Sequence, residues 1–280
     1  MSSDPLAIPE PDSSVLPTFV RTFGLDLTGK PLDVLERVGQ AFARLPYENL
    51  TKIIRQAETG SVTEARRSPS EVVANHLRLG VGGTCFSLTA TLLYLVRALG
   101  FEAQPILADR PYGLNTHCAL LVWLDGRPHL MDPGFLIARP TPLPVSGDLK
   151  LQTEFNELIL APQAGGDKVD LITVQQGRWT PRITFKSTPA DRVEFLKVWD
   201  ASFDWDMMKY PLLTRVTGNR QLYLHGNRLQ VRDRNQVQRD EIDPQLLAEH
   251  IAQAFGVALE VVQKALAILK RKGEPYGASG

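Results

Sequence analysis

Cysteine is scarce in this chain: Cys85 and Cys118 are the only two in 280 residues. Two thiols exclude a disulfide framework and a cysteine-based zinc site, and a chain of this length buries enough core to need no covalent staple. A reducing compartment is the expectation. Net charge is missing as well, since 31 Lys and Arg balance 31 Asp and Glu at a sequence pI near 7.0. Without a global field, and with only the short basic clusters Arg66-Arg67 and Lys270-Arg271-Lys272, nucleic acid is not an expected partner. Purely apolar runs such as Leu92 to Val96 and Cys118 to Leu124 are far below the ~18 residues that suggest a membrane span. Met1-Ser2-Ser3-Asp4-Pro5 has neither the basic nor the apolar region of a secretory signal, so the reading is cytoplasmic, with no membrane partner. No histidine has a metal-ligand spacing such as H-E-x-x-H, so no metal is expected. Internal repeats and phosphate-binding glycine loops are absent too.

What is present is 43% hydrophobic content, enough for two or three lobes with their own cores. Residues 1–14, rich in Pro, Ser and Asp, read as a poorly ordered arm. From Thr28 the pattern is helical: Pro31 suits a first turn, and Leu32, Leu35, Val38 and Phe42 recur at helical spacing before Pro46. Pro69 to Leu79 is a second helix ended by Gly80. A third opens at Cys85, with Leu88, Leu92, Leu95 and Leu99 on one face and Gly100 at its end. Beyond Gly100 the period becomes two: Phe101 to Ala108, Thr116 to Leu124 and His129 to Met131, with Asp125-Gly126 as a hairpin turn. Further strand-like runs are Leu171 to Gln175, Arg182 to Phe185 and Gln221 to Val231. The C-terminus returns to helix, with Asp243-Pro244 as cap and first residue, a face of Leu247, Ile251 and Phe255, and a break at Gly256 before Val257 to Lys272. Helices followed by strands indicate an α+β fold. The expected organisation is a helical lobe over 1–84, a nucleophile helix and β lobe over 85–195, and an α/β lobe over 196–280.

Chemistry points to the start of the third helix. In Gly82-Gly83-Thr84-Cys85 the cysteine heads a helix, where free amides and the dipole favour thiolate over thiol. The same amides suit an oxyanion. Cys85 taken alone also reads as a small buried hydrophobe. A thiol nucleophile needs a base held by a third group. The two-residue turn pairs Leu124 with Arg127, sets Ala119 opposite Asp132, and leaves His117 diagonal to Asp132 on one face. Such neighbours lie about 7–8 Å apart at Cα, within side-chain reach. Asp132 ends an apolar strand, where a histidine N–H would satisfy it; an aspartate also starts turns such as Pro133-Gly134. His76, His129, His225 and His250 lack such a partner, and Cys118, next to His117 in the strand, points to the opposite face as core.

At these residues the sequence resembles a known family, the arylamine N-acetyltransferases. Leu45-Pro46-Tyr47-Glu48-Asn49-Leu50 resembles its P-F-E-N-L segment and Gly82-Gly83-Thr84-Cys85 its R-G-G-x-C nucleophile motif. Asn115-Thr116-His117 resembles the segment bearing the base, and Asp132-Pro133-Gly134-Phe135 its D-V-G-F-G segment. The match covers about residues 28–136. It implies the three-lobe fold of the transglutaminase and papain-like enzymes: helical bundle, antiparallel β-barrel and α/β lid. The roles it implies are Cys85 as nucleophile, His117 as base and Asp132 as its orienter. Tyr47, Thr116, Gly134 and Phe135 are then expected beside the substrate, with Tyr47 and Phe135 as aromatic walls or, alternatively, core. Val81 and Ser87 stand where the family usually has Arg and Glu, and Pro133 where it has Val.

The activity this implies is acyl transfer through a Cys85 acyl-enzyme. Acetyl-CoA or another acyl-CoA is the donor, not a bound cofactor, and a small amine of aryl or hydrazine type is the acceptor. A homodimer is the expected assembly. Alternatives are an amide synthase closing a macrolactam from a carrier-bound polyketide, a hydrolase, and an inactive binding protein built on the same site.

Overall fold

Prolines and caps begin the helices, and left-handed glycines end several of them. The computed structural model describes residues 4–135, 137–153, 157–175, 177–233 and 236–273. Its first part holds α1 (Val15–Phe23), α2 (Pro31–Phe42), the short strand β1 (Tyr47–Glu48), α3 (Leu50–Thr59), α4 (Val62–Ala65), α5 (Pro69–Leu79) and α6 (Cys85–Ala98). Ser68 and Glu71 form a reciprocal capping box at the start of α5, Pro69 occupies its first turn, and Gly80 ends it at φ 68. α6 differs from these: every residue from Cys85 to Val96 is buried. An all-round apolar helix belongs at the centre of a molecule, and α6 packs against α5, β2 and β3.

An eight-stranded antiparallel sheet follows, in the order β5-β4-β3-β2-β9-β8-β7-β6. Its strands are β2 (Ala103–Arg110), β3 (Gly113–Leu124), β4 (Arg127–Asp132), β5 (Ile137–Pro142), β6 (Leu149–Gln152), β7 (Glu157–Pro162), β8 (Lys168–Gln175) and β9 (Arg178–Lys186). Asp125 and Gly126 adopt φ 48 and 73, as a type I′ turn requires, and Leu124 pairs with Arg127 in the expected register. Alternation along β3 divides the core. Cys118, Leu120 and Val122 pack with the helices, while Ala119 and Leu121 face the interior of the curled sheet with Leu130, Leu171 and Phe185.

After α7 (Arg192–Ala201) comes the second sheet, formed by β10 (Leu212–Thr217), β11 (Arg220–His225), β12 (Arg228–Arg232) and β13 (Val237–Glu241), with β1 on its edge beside β10. α8 (Leu247–Phe255) and α9 (Leu259–Arg271) complete the chain, packing Ile251, Phe255 and Val262 against Leu50, Val81, Leu213 and Leu224. The architecture is α+β, with nine α-helices among the described residues, none long and apolar enough to cross a membrane.

Local expectation and structure part company in three places. Gln221 to Val231 is two strands, because Gly226 at φ 63 turns the chain and pairs His225 with Arg228. α8 starts at Leu247; Asp243 instead accepts from the Gln245 amide at 2.9 Å, making a turn ahead of the helix. Of the expected arm, residues 1–3 lie outside the described residues; Leu6 is buried in the helical core and Asp4 pairs with Arg192 at 2.8 Å, while Ile8, Glu10 to Asp12 and Ser14 are exposed.

One buried cation ties α3 to the segment after α7. Lys52 Nζ donates to Ser202 O at 2.7 Å and Ser202 Oγ at 2.5 Å, and lies 4.4 Å above the Phe203 ring. Burial pushes Lys52 down to about 7 from an ordinary 10.5. Between those values the unfolded chain keeps a proton that the folded chain has lost, so this group makes stability rise with pH across that window. In Lys52→Met the contribution disappears. Chemical denaturation should show the wild type gaining on the variant by more than about 1 kcal/mol from the bottom to the top of the window; parallel profiles would refute the assignment.

Candidate active site

The site begins with a close approach of two backbones. A Cβ on Gly82 would stand 1.8 Å from Pro46 O, so only glycine lets the chain before α6 lie against Pro46. Glu48 N then donates to Gly83 O at 2.9 Å, and Tyr47 forms an isolated parallel bridge with Gly83. Asn49 continues the link: its Nδ2 donates to Met207 O and Tyr210 O, and its Oδ1 accepts from Leu212 N at 2.9 Å. The segment Leu45 to Leu50 thus holds the start of α6 on one side and the start of β10 on the other.

Glu48 is fully buried and accepts from Thr51 N and Thr51 Oγ1 at 2.9 and 2.6 Å. Arg67 Nη1 lies 3.8 Å from it and donates to Gly82 O at 2.6 Å. Burial raises the Glu48 carboxyl and lowers Arg67, each opposed by the other's charge. The positions that depart from the family pattern are accommodated nearby without charge. Val81 is fully buried among α8 and α9, and Ser87 Oγ donates to Thr84 O at 3.1 Å.

Cys85 is the first residue of α6, and Thr84 makes no side-chain cap, so the first-turn amides are left for another partner. His117 and Asp132 are both fully buried, with Nε2 to Oδ2 at 2.7 Å. Asp132 Oδ1 accepts from Phe135 N at 2.9 Å, which supplies the donor that Pro133 lacks. Nε2 therefore carries the proton toward Asp132 and Nδ1 faces away, toward Cys85 and Arg110. Burial acts to lower His117, but the Asp132 charge and the hydrogen bonds to Asp132 and Cys85 leave it raised above its ordinary value.

The Cys85 thiol is held well below the ordinary range, first by a hydrogen bond from Cys118 and then, against burial, by the hydrogen bond and charge of His117 and the charge of Arg110. Burial pushes Cys118 in the opposite direction. Cys118 is core, as its strand position implies, and its Sγ lies 3.5 Å from Thr89 Oγ1, one helical turn beyond Cys85. Its contact with Cys85 has no sequence signal except proximity to His117. Arg110 has no motif to mark it; two residues beyond Ala108, which pairs with His117, it shares a sheet face with the histidine's neighbours.

Cys85 opens onto a cleft of about 1740 Å³, larger than the ~300–1,000 Å³ of most small-molecule sites. Tyr47, Thr116, Gly134 and Phe135 line it, so all four expected substrate contacts face one space. Tyr47 Oη lies 3.8 Å from Met207 Sδ, and Thr116 Oγ1 donates to Gly113 O at 2.8 Å. Gly134 comes closest to the chemistry: a Cβ there would stand 2.8 Å from His117 Cε1 and 3.1 Å from Cys85 Cβ.

The arrangement has counterparts among known proteins. A family model described as N-acetyltransferase matches residues 31–265. The arylamine N-acetyltransferase of Mycobacterium abscessus is similar at a TM-score of 0.77 and 19% identity, over 91% of this chain and 94% of that one. A variant N-arylamine acetyltransferase of Mycobacterium smegmatis gives 0.76 at 23%, over 94% and 99%. The Mycobacterium marinum enzyme, solved in complex with CoA, gives 0.76 at 18%, over 91% and 98%. No curated protein matches in sequence. With the family model spanning most of the chain and the fold shared throughout, this protein belongs to the arylamine N-acetyltransferase family of acetyltransferases.

Proposed function

We propose that this enzyme moves an acyl group from a CoA thioester to an aryl or hydrazine-type amine by a ping-pong route through Cys85. The observation that carries the reading is the buried 2.7 Å bond between His117 and Asp132 beside a thiol of lowered pKa at the head of α6. The Cys85 thiol gives its proton to His117 Nδ1 and its sulfur attacks the thioester carbonyl, while the free amides of the first turn of α6 receive the oxyanion. As the tetrahedral intermediate collapses, the carbon–sulfur bond to CoA breaks and His117 protonates the departing thiolate. Donor and acyl-enzyme are both thioesters of similar energy, so the first half-reaction is reversible. The amine then attacks, His117 Nδ1 takes its proton, and formation of the amide drives the second half. Asp132 holds Nε2–H throughout and keeps Nδ1 the reactive atom.

Tyr47 and Phe135 are placed to wall the acceptor, with Gly134 giving it room beside the sulfur. A second reading, closure of a macrolactam from a carrier-bound chain, is favoured by the size of the cleft.

Intact-protein mass spectrometry after mixing with acetyl-CoA or propionyl-CoA should show one acyl adduct. It should be absent in Cys85→Ala and discharged by an aromatic amine. An adduct that survives in Cys85→Ala refutes the mechanism; no adduct from small donors, with a reactive Cys85, favours the bulky carrier-bound substrate. Asp132→Asn should slow acylation on the order of 10³- to 10⁴-fold, because the wrong histidine tautomer is then favoured.

Alkylation by iodoacetamide tests the thiolate directly. A lowered Cys85 pKa keeps the rate high as pH falls through and below the ordinary thiol range. In His117→Gln the profile should move to higher pH; coincident profiles would remove His117 from the activation of Cys85. Gly134→Ala places a methyl against both side chains, and a displacement of this size costs up to about 100-fold in kcat/KM. A variant with unaltered turnover would show that the Gly134 approach is not needed.

A further inference from the structure

The base has a second neighbour that the proposed reaction leaves unused. Arg110 closes β2 where the ladder to β3 skips a residue, between the pairs Ala108–His117 and Arg110–Gly113. Asp109 ties the turn beyond it, with Oδ1 accepting from Asn115 N at 2.8 Å. Arg110 Nη2 lies 3.1 Å from His117 Nδ1. A guanidinium only donates, so Nδ1 is the acceptor and the resting imidazole is neutral in this arrangement. Arg110 Nε is buried with no acceptor.

Among the described residues no carboxylate pairs with Arg110. Asp132 is engaged by His117, and Asp109 by Asn115 and Lys168. Buried guanidinium groups ordinarily meet a carboxylate or phosphate, often through two parallel hydrogen bonds. The Cys85 sulfur, whose thiol is held well below its ordinary range, is the nearby group that becomes anionic in the reaction, and acylation turns it into an uncharged thioester. Arg110 then lines the cleft among Tyr47, Tyr112, Tyr210 and Tyr223, with Nη2 on His117, a hydrogen bond to Tyr112, and Nε still without an acceptor.

We propose that Arg110 is the receptor for a carboxylate carried by the substrate, so that the site selects an anionic acyl group or an anionic amine over its neutral counterpart. This rests on the acyl-transfer reading above. Drawing the guanidinium onto a carboxylate also lifts it from Nδ1, which frees that lone pair for the proton of the thiol or the amine. Substrate charge and base activation are thereby coupled.

The test compares matched pairs on the purified chain and on Arg110→Met and Arg110→Lys. Acylation by succinyl-CoA is set against butyryl-CoA, and discharge by 4-aminobenzoate against 4-methylaniline. The wild type should favour the charged member of one pair, and the pair that does so tells whether the carboxylate sits on the acyl group or the amine. Arg110→Met should reduce that ratio roughly ten- to hundredfold, the worth of a charge-assisted hydrogen bond. Arg110→Lys should retain part of it, which covers a poorly folded methionine variant. The ratio is the readout because a loss common to both members cancels. Absence of preference in both wild-type pairs overturns the proposal, as does an equal effect of Arg110→Met on charged and neutral substrates. Calorimetric binding of 4-aminobenzoate and 4-methylaniline needs no turnover. If no thioester acylates Cys85, the acyl-transfer reading falls, and this binding comparison still upholds or overturns Arg110.

Discussion

Everything at the site is referred to the contact between Gly82 and Pro46. Because no side chain separates the two backbones, the loop before α6 lies flat against the segment that leads into β1 and α3. That contact places the head of the central helix within reach of two sheets at once. β1 joins the sheet of β10 to β13, and α6 packs on β2 and β3 of the other. A nucleophile at this junction can face a base from one sheet and a cleft wall from the other. A Cβ at Gly82 would push these parts apart together, which is why the constraint is one of space rather than of backbone angle.

Buried charge is concentrated around the same junction. Glu48, Arg67, Lys52, His117 and Asp132 are all almost fully buried. Each ionisable group taken from water costs free energy that hydrogen bonds must offset, so such a cluster does not raise stability as an apolar core would. It does hold geometry. Glu48 and Arg67 brace the loop at Gly82, Lys52 anchors the turn at Ser202, and Asp132 aims the imidazole. Arg110 differs from them in lacking a carboxylate partner among the described residues, and its buried Nε has no acceptor.

Local pattern carried much of the architecture. Helices α2, α5 and α6 follow from apolar spacing bounded by Pro and Gly, and the β3–β4 hairpin follows from Asp125-Gly126. Period-two alternation then made the His117–Asp132 contact legible, since a known turn length sets the register. Helices α1, α3 and α7 were not legible at this level. α3 carries Lys52 and Thr51 on its buried face, and polar residues in a core mask the stripe by which a helix is recognised. Pairing of β1 with β10 was equally hidden, because its partners are more than 160 residues apart.

The sequence by itself determined that a cysteine heads an apolar helix after two glycines, that a histidine and an aspartate share one face of a hairpin, and that these stand in the order of a known family. Such features depend on neighbours within a few residues or across one tight turn, where covalent geometry and periodicity decide the outcome. Tertiary structure alone decided that Cys118 donates to Thr89 one helical turn beyond Cys85, that Arg67 braces the loop under Glu48, and that Arg110 reaches His117 without a carboxylate of its own. Those relations come from the packing of α6 against two sheets, and long-range packing sums many weak contacts that no local spacing records.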